Sequence, residues 1–316
     1  MGKKTASDPT GQAANRNKTT RRLNVRLERS RREVLQLFRA VPRDRRVETV
    51  IVNAEQVVYD YDLSPVQLED LSAEIRTAIN AELLETQGEQ MPPDWWYQPN
   101  VEQPTREGTL EEIVRFNQLI AAAVVAGVTV RGMTPQRIAP ELVLSSRPYL
   151  DALRGVYVEN FAVIKTLSNR TSDQVIQQLN SGMRSGLTPT EIAKNVTGRF
   201  DVSKSSAERI ARTEVNKAYT NAKMNAVRMA AEQTGLRAGV IHISALTSTT
   251  RAGHARRHGL IFSVADQMRW WDTAENGSAR INCLCSIRSV LIDSNGKVVQ
   301  KEEQEQVRQE GREFFG

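Results

Sequence analysis

At Gly239 the spacing of apolar residues changes, and that change limits the chain to a long helical body followed by a small β-containing module. Upstream, "RRLNVRLERSRREVLQLFRAV" sets Leu23, Leu27, Val34, Leu37 and Phe38 at helical intervals. In "SPVQLEDLSAEIRTAINAELLETQG", Ser64 can cap, Pro65 sits at the first helical position and Gln67 closes a capping box. Leu68, Leu71, Ile75, Ile79 and Leu83 then share one face, and Gly88 supplies a stop. A second capping box, Thr109 to Glu112, opens "TLEEIVRFNQLIAAAVVAG". Separate helices are expected in "YLDALRGVYVENFAVIKTL", "SDQVIQQLNSGMRSG" and "TPTEIAKNVTGRF", and the longest from about Ser206 to Thr234, ending at Gly235. Downstream, "GVIHIS", "GLIF" and "CSIRSVLI" are short β-rich runs, and Asn295-Gly296 marks a hairpin turn before Val298 and Val299. The expected fold is a mainly α N-terminal and middle region with a small C-terminal α+β domain.

The segments fall into an order. Residues 1–46 form a basic arm and helix after a disordered start, and 47–108 an α-rich region that opens with a β-prone piece, "VETVIVNAEQVVYDYDL". That region closes in a long loop, "EQMPPDWWYQPNVEQPTREG", broken by four prolines and carrying Trp95, Trp96 and Tyr97, to be packed on a helix or presented to a partner. Residues 109–235 are the helical body, 236–300 the small domain, and 301–316 a charged tail, solvated or disordered, with Phe314 and Phe315 as docking residues. The longest mostly apolar run, Leu119 to Val130, is shorter than the roughly 20 residues that span a bilayer, so no membrane span is expected.

Charge is unevenly shared. Residues 1–46 hold 14 Lys or Arg against four acids, a local +10 in a chain of formal charge +6. Such a stretch is either a solubilising terminus or a phosphate-contacting one. Arg16, Lys18, Arg21, Arg22, Arg26, Arg29, Arg31 and Arg32 are the candidate contacts to double-stranded DNA.

All three histidines, His242, His254 and His258, and both cysteines, Cys283 and Cys285, lie within residues 242–285. His254 and His258, four apart, share one helical face; Cys283 and Cys285, two apart, share one face of a strand. Together they make four nitrogen and sulfur ligands of the kind tetrahedral zinc takes, with His242 as a substitute or supporting member. Core packing of two free thiols is the other reading. A disulfide between side chains that stand parallel is disfavoured. Arg251, Arg256, Arg257, Arg269 and Arg280 surround this group, either for phosphate or as a solvated face paired with Asp266 and Asp272. No Gly-rich phosphate loop, G-x-S-x-G or H-E-x-x-H is present.

Two segments carry a family resemblance. "RIARTEVNKAYTNAKMNA", with Arg212, Thr213 and Glu214, resembles the long helix of the phage Mu F-like minor head proteins. "TTRAGHARRHGLIF" through "INCLCSI", with Thr250, Arg251, His254, His258, Gly259, Asn282, Cys283 and Cys285, is similar to that family's T-R-x-x-H, H-G and N-C-x-C. The likeness covers about residues 171–292; Ser248 and Thr249 stand where an aspartate is usual, and Leu284 where a basic residue is usual. The resemblance implies a non-enzymatic minor capsid protein of a tailed phage, made in the host cytoplasm. It implies a place in the virion near the portal vertex, with the portal, other capsid or scaffold proteins, and the genome as partners. A zinc-dependent nuclease or nucleotide-modifying enzyme using His254 and His258 is the alternative, and a DNA-binding protein unrelated to virions a third reading.

Overall fold

The computed structural model describes the backbone of residues 3–51, 54–87, 90–128 and 134–315, and the side chains of these apart from 47–51, 54–56, 276 and 315. Gly88, Val130 and the Phe315 side chain, named above, lie outside the described residues. In chain order the elements are α1 (Ala13–Arg39), β1 (Asp44–Ile51), β2 (Ala54–Asp60), α2 (Pro65–Leu83), α3 (Gln98–Val125), α4 (Pro140–Leu144) and α5 (Arg147–Arg184). They continue with α6 (Pro189–Thr234), β3 (Ala238–Ile243), α7 (Ala252–Ala255), β4 (Ile261–Phe262), α8 (Val264–Thr273), β5 (Ser286–Leu291) and α9 (Lys301–Phe315). The protein is mainly α with a small C-terminal α+β part, as the periodicity predicts.

The chain divides into two compact units, neither of them continuous: residues 1–18, 98–157 and 211–316 form one, and 19–97 with 158–210 the other. In the second unit, α1 buries Leu23, Leu27, Val34 and Phe38, four of its five predicted apolar positions. The Ser64–Gln67 capping box of α2 is formed, and Leu71, Ile75, Ile79 and Leu83 are buried. α2 stops before Gly88, at Leu83, with Glu85 taking a left-handed backbone. Strands β1 and β2 pair antiparallel, Asp44 opposite Asp60. Trp95 and Tyr97 are packed inside, Trp95 edge-on to Phe161, while Arg26 stacks over Trp96 at 4.2 Å.

Four expectations need correction. The expected breaks near residues 168–172 and 198–205 are absent, so α5 and α6 are single helices of 38 and 46 residues. There Thr171, Ser172, Thr197 and Ser203 donate back to the carbonyls four residues earlier instead of capping a new helix. Thr171 and Ser203 also bond to each other at 2.8 Å. The predicted loop is shorter than expected, because α3 already begins at Gln98 and runs through Pro104. Thr109 is therefore interior, donating to the Thr105 carbonyl, and caps nothing. From residue 3 on the basic arm is ordered: Thr10 and Gln12 are buried, and the Leu246 amide donates to the Ala6 carbonyl at 2.8 Å. Finally, the tail is a docked helix, α9, whose Val307 joins Ile241 and Val290 in a small core.

In the first unit β3 is the centre of a three-stranded sheet, β4-β3-β5, with both neighbours antiparallel to it. Its main core gathers Ile113, Phe116 and Ile120 of α3, Met224 and Val227 of α6, Val240 of β3, Trp271 of α8 and Ile287 of β5. The Asn295-Gly296 turn forms as expected, with Gly296 at φ 77° and Asp293 Oδ1 accepting from the amides of Asn295 and Lys297. Among the described residues no helix is long and apolar enough to cross a membrane.

Candidate functional site: a buried histidine and cysteine cluster

The sheet positions the cluster. His242 lies in β3, His254 in the single turn of α7, and the cysteines lie in the extended segment that leads into β5. Asn282 has φ 58°, a left-handed conformation that short amide side chains tolerate best among residues with a Cβ. It reverses the chain just before Cys283, while its amide donates to Thr213 Oγ1 at 3.0 Å. Asn216 Nδ2 holds the Cys283 carbonyl at 2.8 Å. Arg251 clamps the preceding loop, donating to the carbonyls of Ser278, Ala279 and Ile281 and pairing with Glu275 at 2.9 Å. Thr213, Asn216, Arg251 and Asn282 thus serve one purpose, fixing where the thiols point.

His254 Nδ1 lies 3.3 Å from Cys285 Sγ and 3.5 Å from Cys283 Sγ. A ligand nitrogen of His242 joins His254 and Cys285 in a group whose donor atoms all lie within 4.8 Å of one another. His242, His254 and Cys285 are buried, and Cys283 is half-buried. The Trp270 ring stands edge-on to both imidazoles. Burial, followed by the neighbouring His254 and Arg257, holds His242 well below the usual imidazole range. The thiols form one coupled pair: the hydrogen bond from Cys285 favours the Cys283 thiolate, and the same bond, with burial, pushes the Cys285 thiol up.

His258 is elsewhere. Its Nδ1 accepts from the Ser244 amide at 3.1 Å and its Nε2 donates to the Val307 carbonyl at 2.8 Å, so both ring nitrogens hold backbone. This corrects the expected ligand set of His254, His258, Cys283 and Cys285: His242 stands beside the thiols where His258 was expected. A four-residue spacing implies a shared face only if the helix continues, and α7 ends at Ala255. Gly259, at φ 73°, follows where a Cβ would meet the Arg308 backbone at 3.1 Å. The H-G pair therefore seats α9 on the sheet.

The surrounding arginines are largely paired. Arg269 meets Asp266, Arg280 meets Asp272 and stacks on Trp271, and Arg257 lies 3.6 Å over Phe262. Of the eight DNA-contact candidates, Arg16 pairs with Asp8 at 2.6 Å and donates to Asn216. Arg26 pairs with Glu85, and Arg31 with Glu28. Arg29 and Arg32 stay mostly exposed, at 59% and 73%, with long contacts to Glu82 and Glu28, and Lys18, Arg21 and Arg22 are exposed as well. In the family motif of α6, Arg212 is exposed and Glu214 buried.

Sequence reasoning missed a buried charge network that anchors β5. Lys223 Nζ reaches Glu111 at 2.7 Å, Glu112 at 3.2 Å and the Ile287 carbonyl at 2.7 Å, and Glu112 accepts from the Ser289 amide at 3.1 Å. An acidic pair just before an apolar run resembles a helix start, which concealed it. Nearby, a cavity of about 320 Å³ is lined by Lys4, Glu111, Lys223, Arg288 and Glu310 among others. Its Lys and Arg side chains are already paired, Lys4 and Lys223 with Glu111 and Arg115 and Arg288 with Glu303.

Burial would raise the Glu111 carboxyl, but Lys223 and Lys4 outweigh it and hold it at about 2. The unfolded chain titrates this group near 4.5, so the stabilisation is present above that pH and lost as the pH falls toward 2. Burial also lowers Lys4, which offsets part of the gain. We expect Glu111→Gln to lose about 2 kcal/mol at neutral pH and to flatten the acid limb of a urea-midpoint profile. A profile as steep as that of the parent chain would assign acid lability to other carboxylates.

A buried His/Cys group held by a small three-stranded sheet against a long helix is the most distinctive feature of this part of the chain. Residues 173–288 match the family described as Phage Mu protein F like protein, so this part of the chain is similar to phage Mu F-like head morphogenesis proteins. No curated protein and no solved structure matches the chain.

Proposed function

We propose that the protein is a minor head protein of a tailed phage, bound near the portal vertex inside the head, that contacts double-stranded DNA and assists head assembly and genome packaging or delivery. The observation that carries this reading is the family match over residues 173–288, which includes every His and Cys of the cluster. The portal, with other capsid or scaffold proteins, is its partner. Burial of His242, His254 and Cys285 supports structural over catalytic use, since a substrate would have to enter the core to meet them.

The DNA contact rests on the exposed side of α1. Arg22, Arg29 and Arg32 recur at helical intervals on one face, with Arg21 beside them. Phosphate contacts of this kind carry no sequence information but make affinity fall steeply with salt. Deleting the arm would test nothing, because Leu23 and Leu27 belong to the core. Replacing Arg21, Arg22, Arg29 and Arg32 by Gln should instead make the slope of log affinity against log salt shallower by about 3 to 4. An unchanged slope would remove α1 from the interface. Cross-linking in purified particles should join the protein to the portal; links to the outer shell alone would move it away from the vertex.

A further inference from the structure

We propose that His242, His254, Cys283 and Cys285 bind one zinc ion, which ties β3 and α7 to the segment entering β5. Tetrahedral zinc holds nitrogen at about 2.0–2.1 Å and sulfur at about 2.3 Å, so its nitrogen-to-sulfur edges come to about 3.5 Å. The two edges from His254 Nδ1 are 3.3 and 3.5 Å. One ring nitrogen facing two sulfurs can satisfy only one of them well by hydrogen bonding, whereas a cation among the three satisfies all. His242 strengthens the case: it is fully buried, and its polar side-chain neighbour, Gln267, gives neither ring nitrogen a hydrogen bond of ordinary geometry. A polar ring that deep costs stability unless something meets it, and one of its nitrogens is already within 4.8 Å of the His254 and Cys285 donors.

The surroundings suit a metal. His254 Nε2, on the far side of the ring, faces Glu275 Oε1 at 3.8 Å, longer than a hydrogen bond but on the side from which a carboxylate orients zinc-bound imidazoles. Glu275 is in turn held by Arg251, the residue that clamps the loop before Cys283. Two thiolates and two neutral imidazoles fill all four positions and neutralise the ion, with two protons released to solvent as the thiols bind. No coordination position is left for a substrate, so the site is structural.

The test uses the full chain, made in medium containing zinc and then exhaustively dialysed. Elemental analysis should find about one zinc per chain. Replacing the zinc with cobalt should give tetrahedral ligand-field bands and a thiolate-to-cobalt charge-transfer band of two-sulfur intensity. Cys285→Ser should lose most of the zinc and halve that band, and His242→Asn should lower zinc retention at least tenfold. His258→Asn, whose ring holds backbone, should keep it. Absence of zinc and of a cobalt spectrum in the unaltered chain would overturn the proposal without touching the head-protein reading. Retention by His242→Asn with loss from His258→Asn would overturn this ligand set. Because the unaltered chain is read spectroscopically, the proposal stands or falls even where a variant fails to fold.

Discussion

Replacing Lys223 with Met should cost about 3–5 kcal/mol, a large part of the 5–15 kcal/mol that holds a typical domain folded. Lys223 is 2% exposed and Glu112 is 0% exposed. Glu112 Oε2 lies 3.2 Å from Lys223 Nζ, off the hydrogen-bonding direction, and has no hydrogen-bond partner besides that ionic contact. Removing the cation strands that carboxylate in the core and frees the Ile287 carbonyl at the same time. The loss should be read as a shift in urea midpoint with unchanged slope. Adding Glu112→Gln should recover much of it, because a neutral amide can still accept from the Ser289 amide. A single variant as stable as the parent would mean that water reaches this network.

Gly108→Ala should be the most damaging small substitution in α3. A Cβ there would stand 2.4 Å from the Tyr219 carbonyl oxygen and 3.2 Å from its carbon, both backbone atoms of α6 that no rotamer change can move. The helices touch through this glycine, and the Tyr219 hydroxyl beside it donates to Glu111 at 2.5 Å. Forcing α3 and α6 apart would loosen that bond and the Lys223 contacts together. Overpacking of this kind costs about 1–3 kcal/mol, and the upper end applies because the obstacle is backbone. Gly155→Ala, at a helical glycine with open space around it, is the matched control and should be neutral or slightly stabilising. Equal thermal midpoints for the two variants would show that α3 and α6 have room to separate.

The contrast between those glycines shows what could be read from residues alone. Gly108 and Gly155 look the same in the sequence; only the crossing of two helices distinguishes them. Local signals transferred well: the Ser64–Gln67 box, the apolar stripes of α1 and α2, the Asn295-Gly296 turn and the change of period at Gly239 all depend on neighbours within a few residues. The lengths of α5 and α6 did not, because Ser and Thr can cap a helix or bond back within it with almost the same local cost. At the cluster, composition brought the right residue types together but spacing chose the wrong histidine. Four residues define a face only while a helix lasts, and here His258 had left it to hold α9. The Lys223 network was hidden for a related reason, since its carboxylate partners lie more than a hundred residues from it.

The division of the chain has a consequence for its synthesis. Residues 19–97 and 158–210 are all available to one unit before the strands of the other have been made. The other unit needs residues 3–18 at its start and α9 at residues 301–315, with Ala6 bonded to Leu246 and Val307 bonded to His258. Its first segment must therefore wait for partners made in stages, Glu107 for Gln12, Asn216 for Arg16 and Leu246 for Ala6, and chaperone occupancy on a stalled ribosome should fall stepwise, with the last step when α9 emerges.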